Sequence, residues 1–328
     1  MAIDKIINSF KKLNVLIIGD VMIDSYLWGS TNRVSPEAPV PIVNVSKQEH
    51  RMGGAANVAL NIMSLGAKPI MLSVIGDDEM GNIYIDLLNK RDMADVGILR
   101  SSNRKTSQKT RVISHNQHVV RIDSETIKPL DKADEDQLIQ KLHSILSSQK
   151  IDVVILEDYN KGVLTPTVIH EVIKACNEKN IPSAVDPKKE NFFEYKGVTL
   201  FKPNLKEFVE GLGLLSIPEA KKTWTRAIQK LRSLINHKYT FVTLSEEGVL
   251  IENEGELSFV PAHIRNIADV SGAGDTVISV AALCLASKTS PKILASLANL
   301  AGGLVCEEAG VVPISKSRLL KEALKEKL

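Results

Sequence analysis

The 328-residue sequence predicts an α/β protein with a largely parallel sheet and a small accessory β-sheet. Three observations carry this. Short apolar runs bounded by charge, glycine or proline recur along the chain, as buried strands do. Amphipathic stretches of helical spacing separate them, which is the rhythm of βαβ units. Two stretches, at about 25–47 and 106–123, are rich in β-formers, carry no helical period and break that rhythm.

Along the chain, Asn14 to Gly19 (NVLIIG) is the first expected strand. Pro69 to Ile75, Ile151 to Leu156, Pro182 to Val185, Val198 to Phe201 and Tyr239 to Leu244 are the others. Leu138, Ile139, Leu142, Ile145 and Leu146 share one face at 3.6-residue spacing. A second helix is expected from Ser216, with Glu219 completing a capping box and Trp224, Ile228, Leu231 and Leu234 buried. A third, apolar helix covers Thr276 to Ala286. The two β-rich stretches, the second with a turn at Ser114-His115-Asn116, are expected to form a lid over the site. Its exposed edges would favour a homodimer.

The 41 basic and 39 acidic residues leave a formal charge of +2, which gives no electrostatic case for nucleic acid or an anionic membrane. Aromatics at 4% argue against a base-stacking platform, and 44% hydrophobic with 24% charged residues excludes global disorder. Cys176, Cys284 and Cys306 lack metal-ligand spacing and fall in apolar segments, so buried reduced thiols are expected. The longest apolar stretch falls far short of the ~20 residues that span a bilayer. These features predict a cytoplasmic protein.

The strongest local chemical signal is Asp269-Val-Ser-Gly-Ala-Gly-Asp275 directly before an apolar helix. Small residues there leave backbone N–H groups open to an anion, and the helix dipole favours negative charge. Asp275 in the first turn could take a proton from a substrate hydroxyl that attacks a bound phosphate. A glycine-softened turn with an N-terminal aspartate also fits the same residues. Gly53-Gly54-Ala55-Ala56-Asn57 opens another helix, where Asn57 could meet sugar hydroxyls or the glycines could serve tight packing. Asp20 and Asp24 follow the first strand, at the sheet edge where ligands sit in parallel α/β proteins, and could grip a sugar or cap a turn. No P-loop or dinucleotide fingerprint is present.

Together, Gly19-Asp20 with Asp24, the Gly-Gly-Ala-Ala-Asn run, Asn204-Leu-Lys-Glu207 and Asp269-x-x-Gly-Ala-Gly-Asp275 resemble, in order, the ribokinase-like (PfkB) carbohydrate kinases from about residue 12 to 315. Five further runs look like that family's heptose-7-phosphate kinases. They are Gly19-Asp-Val-Met-Ile-Asp24, Val34-Ser-Pro-Glu-Ala-Pro-Val-Pro41, Asp158-Tyr-Asn-Lys-Gly162, Asp186-Pro-Lys188 and Val242-Thr-Leu-Ser-Glu-Glu-Gly248.

The resemblance implies a three-layer α/β/α ribokinase-like fold with a β lid. It also implies transfer from ATP, with Mg2+, to the 1-hydroxyl of D-glycero-β-D-manno-heptose 7-phosphate, for ADP-heptose and lipopolysaccharide core synthesis. No His-x-Gly-His nucleotidyltransferase motif occurs, so one kinase domain over 1–328 without an adenylyltransferase domain is expected. Asp275 would be the catalytic base, and the amides of Gly272, Ala273 and Gly274 the anion hole. Asn204 and Glu207 would organise Mg2+ and the ATP phosphates. Thr243, Ser245, Gly248 and Asn299 would line the nucleotide. Asp269 and Ser271 match a monovalent-cation position, which makes K+ a candidate cofactor. Asp20, Asp24, Gly54, Asn57, Asp158 and Lys161 would meet the sugar.

Lys109, Arg111 and Arg121 are candidates for a clamp on the sugar's phosphate, and a solvated strand face fits them equally. Lys188 could serve substrate or nucleotide phosphate. His115 and His118 read as lid or interface residues, because i, i+3 positions on a strand or turn diverge. Another sugar or nucleoside as substrate, or a silent nucleotide-binding scaffold, remain alternatives.

Overall fold

The computed structural model describes residues 2–115, 117–263 and 265–328. The strands in chain order are β1 (Asn14–Gly19), β2 (Val21–Val34), β3 (Pro41–Gly54), β4 (Lys68–Gly76), β5 (Ile98–Ser101), β6 (Gln108–Ser114) and β7 (Gln117–Ser124). They continue with β8 (Val153–Glu157), β9 (Ser183–Asp186), β10 (Leu200–Phe201), β11 (Tyr239–Thr243), β12 (Val249–Asn253) and β13 (Glu256–Val260). The helices are α1 (Ile3–Ser9), α2 (Ala55–Ser64), α3 (Glu79–Asn89), α4 (Lys132–Ser148), α5 (Pro166–Glu178), α6 (Leu205–Leu212), α7 (Lys221–Ile235), α8 (Ala273–Ala286), α9 (Pro291–Val305) and α10 (Lys316–Lys325).

Among these, nine strands form one sheet in the order β13-β12-β11-β10-β9-β8-β1-β4-β5. It is parallel from β11 to β5, and β12 and β13 close one end as an antiparallel hairpin. The sheet is buried on both faces, which explains why its strands read as unbroken apolar runs. Alternation sorts the core. Val15 and Ile17 of β1 pack with α1, α2, α3, α8, α9 and α10, and Leu16 and Ile18 pack with α4, α5, α6 and α7. Three layers result.

A second sheet, β3-β2-β6-β7, rises from the first at the candidate site. β2 begins immediately after Asp20 and β3 returns at Gly54, so the lid strands start and end on site residues. They extend beyond the expected 25–47 because Val21 to Asp24 pair fully with Arg51 to Gly54. Of the expected Ser114-His115-Asn116 turn, His115 is left-handed at φ 48, and Asn116 lies outside the described residues.

Two helix boundaries differ from expectation. α7 begins at Lys221, not Ser216, with Ala220 as its N-cap. Pro218 disfavours helical backbone at Ile217, so the expected capping box does not form. Trp224, Ala227, Ile228, Leu231 and Ile235 form the buried face, and Leu234, expected there, falls off that face at helical spacing and is 44% exposed. α8 starts at Ala273, which brings Asp275 into its first turn. The unanticipated β12–β13 hairpin turns at Glu254-Gly255, whose positive φ values of 52° and 88° suit a two-residue hairpin loop. Cys176, Cys284 and Cys306 are free and buried. Among the described residues no helix is long and apolar enough to cross a membrane.

Candidate active site

The parallel strands β1, β8, β9 and β11 deliver their carboxyl ends to one edge, beneath the lid, where α2 and α8 also begin. Asp275 sits there at 4% exposure, in the first turn of α8. Its N-cap, Gly272, is left-handed at φ 79, and a Cβ there would meet Val311 at 2.9 Å, so glycine is required. The first intrahelical donor is Thr276 N–H, to Gly272 O at 3.0 Å. Gly274 and Asp275 N–H therefore have no helical acceptor. Ala273 N–H already turns back to Val270 O at 3.2 Å, so it is the least open of the three expected anion-hole amides.

Around Asp275 lies a set of charged groups drawn from distant parts of the chain. Tyr159 donates its hydroxyl to Asp275 Oδ1 at 2.8 Å. Burial pushes the Asp275 carboxyl up, the Tyr159 hydrogen bond opposes this, Asp186 adds to it, and the Asn57 side chain on α2 opposes it again. Asp186 meets Lys202 at 2.7 Å and Lys188 at 3.4 Å, and Lys188 reaches on to Glu207 at 2.6 Å. Glu157, at the end of β8, is 1% exposed and its Oε2 has no hydrogen-bond partner among the described residues. Burial, then Asp186 and Asp275, hold its carboxyl well above the usual range.

Asp20 is placed differently from a sugar-gripping carboxylate. It accepts N–H bonds from Tyr159 (2.9 Å), Lys161 (3.1 Å) and Val163 (3.0 Å), and is 1% exposed. Its carboxylate organises the loop after β8. Asp158 is likewise occupied, accepting from Asn160 N–H at 2.8 Å and from the Tyr195 hydroxyl at 2.6 Å. Lys161 pairs with Glu125 at 2.5 Å. Gly54, at φ 62, comes so close to Asp20 that a Cβ would lie 2.4 Å from its carbonyl oxygen.

Asn204 is the N-cap of α6 and Glu207 its third helical residue. Glu207 N–H donates to Asn204 Oδ1 (2.8 Å) and Asn204 N–H to Glu207 Oε2 (2.9 Å), a complete capping box. Each Glu207 oxygen keeps a lone pair for a water of a hydrated ion. Among the described residues no group of three or more His, Cys, Asp or Glu side chains is arranged to hold a metal. The donor set therefore fits magnesium that arrives on a nucleotide and retains its waters, not a dedicated cage.

On the lid, Arg51, Asp24, Lys109 and Asp123 lie in register across the four strands, and Glu49, Tyr26, Arg111 and Arg121 form the next row on the same face. Arg111 bonds Asp24. Arg51 and Arg111 both cover the Tyr26 ring, at 4.7 and 5.4 Å. Lys109 is paired with Asp123, and Arg121 grips Asp123 with two bonds on the outer strand. Arg111 is thus brought to the site beside Asp24, and Arg121 is turned to the edge.

Elsewhere, Thr243 ends β11 beside Asn204, followed by Ser245 (φ 53) and Gly248 (φ 100) in the turn to β12. Asn299 donates from α9 to Pro261 O at 2.8 Å. Asp269 accepts from Ser271 N–H (2.9 Å) and Gly310 N–H (3.2 Å) in the loop before α8. Tyr159, Glu157, Lys202 and Arg51 were not singled out by sequence. A lysine closing an apolar strand, as in Val198 to Lys202, was the available sign for Lys202.

A buried carboxylate beside unclaimed helix amides suits transfer of a phosphoryl group to a hydroxyl, and with the three-layer fold and β lid it defines an α/β carbohydrate kinase. The chain belongs to the pfkB family of carbohydrate kinases, whose model matches residues 12–317. It is 41% identical over 302 residues to "Bifunctional protein HldE" of Campylobacter curvus (strain 525.92), across 92% of this chain and 63% of that protein. The chain thus spans less than two thirds of that relative. Its fold resembles Escherichia coli phosphofructokinase-2 in complex with potassium, with a TM-score of 0.77, 18% identity, and coverage of 96% of this chain and 99% of that one. It also resembles Arabidopsis thaliana ribokinase complexed with ribose and ATP, with a TM-score of 0.71, 16% identity, and coverage of 94% and 98%.

Proposed function

We propose that the chain phosphorylates the anomeric 1-hydroxyl of D-glycero-β-D-manno-heptose 7-phosphate with ATP, forming the 1,7-bisphosphate for ADP-heptose and lipopolysaccharide core synthesis. The observation that carries the reaction class is Asp275, buried at the amino end of α8 beside the free N–H groups of Gly274 and Asp275. Asp275 takes the hydroxyl proton as the sugar oxygen bonds to the γ-phosphorus. The bond to the bridging oxygen breaks, and ADP leaves with that electron pair. The α8 amides receive the charge on the transferring group. Magnesium bound to the nucleotide would neutralise phosphate charge, held through water by Glu207 and Asn204. The likeness to HldE supports the heptose phosphate as substrate.

Asn57 and Asp24 face the sugar in this reading, Arg111 its 7-phosphate, and Thr243, Ser245, Gly248 and Asn299 the nucleoside. A potassium ion at Asp269 and Ser271 is the corresponding reading of that loop. Val120 and Ile122, 49% and 55% exposed on one face of the lid, support a homodimer through the lid. Light scattering of a Val120→Glu/Ile122→Glu variant should report monomer.

The substrate is tested by magnesium-dependent ADP release with heptose 7-phosphate, fructose 6-phosphate, ribose and pseudouridine. Turnover dominated by the heptose phosphate supports the proposal. Preference for another member of the panel overturns the substrate and keeps the kinase.

A further inference from the structure

The loop after β8 is held more firmly than a connection requires. Asp20 accepts three of its amides, from Tyr159, Lys161 and Val163. Asp158 anchors Asn160 N–H and is itself fixed by Tyr195. Asn160 is left-handed at φ 53, and Gly162 at φ 88 passes so close to Lys128 that a Cβ would lie 2.1 Å from its carbonyl oxygen. The one side chain that this scaffold sends to the candidate base is Tyr159, with its hydroxyl 2.8 Å from Asp275 Oδ1. Lys188 Nζ lies over the same ring, 5.9 Å from its centroid, and limits where the ring can go.

We propose that Tyr159 is a positioning residue for Asp275: its hydroxyl fixes the carboxylate's orientation, stabilises the ionised form and leaves Oδ2 to take the substrate's proton. The inference rests on the reading of Asp275 as the base. The loop thereby presents one hydrogen-bond donor to the base before substrate arrives. A donor to a carboxylate favours its charged form, so the tyrosine keeps Asp275 competent as an acceptor against the burial that opposes ionisation. Burial, followed by the nearby Asp275, raises the Tyr159 phenol well above its ordinary value, so it remains a donor wherever the enzyme works.

The test is the pH profile of kcat/KM for ADP release with heptose 7-phosphate and magnesium–ATP, for wild type, Tyr159→Phe and Asp275→Asn. Tyr159→Phe should move the acid limb upward by about one pH unit, with about a tenfold loss below the limb that closes at alkaline pH. Melting temperature and ATP affinity, measured alongside, report whether the variant is folded. Site-specific 3-fluorotyrosine at 159, a stronger donor of nearly the same size, should move the limb downward and gives the answer if the phenylalanine variant does not fold. A loss equal at every pH, or limbs that coincide with wild type, overturns the role of Tyr159 and leaves the base intact. Wild-type turnover by Asp275→Asn overturns the base reading, and the Tyr159 role with it.

Discussion

Lys202 Nζ lies 2.7 Å from Asp186 Oδ2, with side-chain exposures of 2% and 8%. This buried pair joins the end of β9 to the residue following β10, directly behind the candidate base. Burial pushes the Asp186 carboxyl up, but Lys202 and Lys188 overcome it and hold the group below its ordinary value. Its contribution to stability is therefore present above the unfolded carboxylate range, near pH 4, and is lost as pH falls through the folded value. Lys202→Met, which leaves the buried carboxylate only the longer Lys188 contact, should lower unfolding free energy by about 3 kcal/mol. Urea denaturation at pH 7 measures this, and the deficit should shrink on acidification.

Glu157 behaves oppositely. Its carboxyl is held well above the usual range by burial and by Asp186 and Asp275. Such a group weakens the fold progressively as pH rises from the unfolded value, about 4.3, toward the folded one. Glu157→Gln should melt higher than wild type at pH 8 and converge with it near pH 4. Parallel melting curves across that range would contradict the assignment.

The two lid arginines should separate in kinetics. Arg111 is partly buried beside Asp24, and Arg121 is exposed and spent on Asp123. Arg111→Ala should raise the KM for the sugar phosphate by roughly thirtyfold, about 2 kcal/mol, with a smaller change in kcat. Arg121→Ala should stay within about twofold, as exposed pairs usually do.

Gly54 has φ 62 and ψ −136, a region that side chains avoid, and a Cβ would strike the Asp20 carbonyl oxygen. Gly54→Ala should cost at least ~2 kcal/mol of stability. It should also reduce turnover, because Asp20 carries the Tyr159 loop. Thermal melting and ADP release measure the two effects.

Much of this arrangement was legible from local pattern. β1, β8 and β11 declare themselves because a strand buried on both faces must be apolar throughout. Gly272 and Asp275 declare themselves because a helix start with open amides needs small residues at fixed spacing. α7 was misplaced because Ser216 and Glu219 have capping-box spacing, whereas Pro218 keeps Ile217 out of helical backbone and the helix starts only at Lys221. What stayed hidden was contact between distant segments. Tyr159 and Asp275 are 116 residues apart, and nothing local to either announces the other. Asp20 at its strand end fits a sugar ligand and a turn cap alike, and only its three amide partners show where its carboxylate is engaged.

In the proposed reaction Asp275 is the base that takes the sugar hydroxyl's proton. Single-turnover ADP formation by wild type and Asp275→Asn, with ATP binding measured in both, tests it most directly. Transfer in the variant should be at least ~100-fold slower, with ATP affinity and melting temperature preserved. Transfer at the wild-type rate by a folded, ATP-bound Asp275→Asn variant would contradict it.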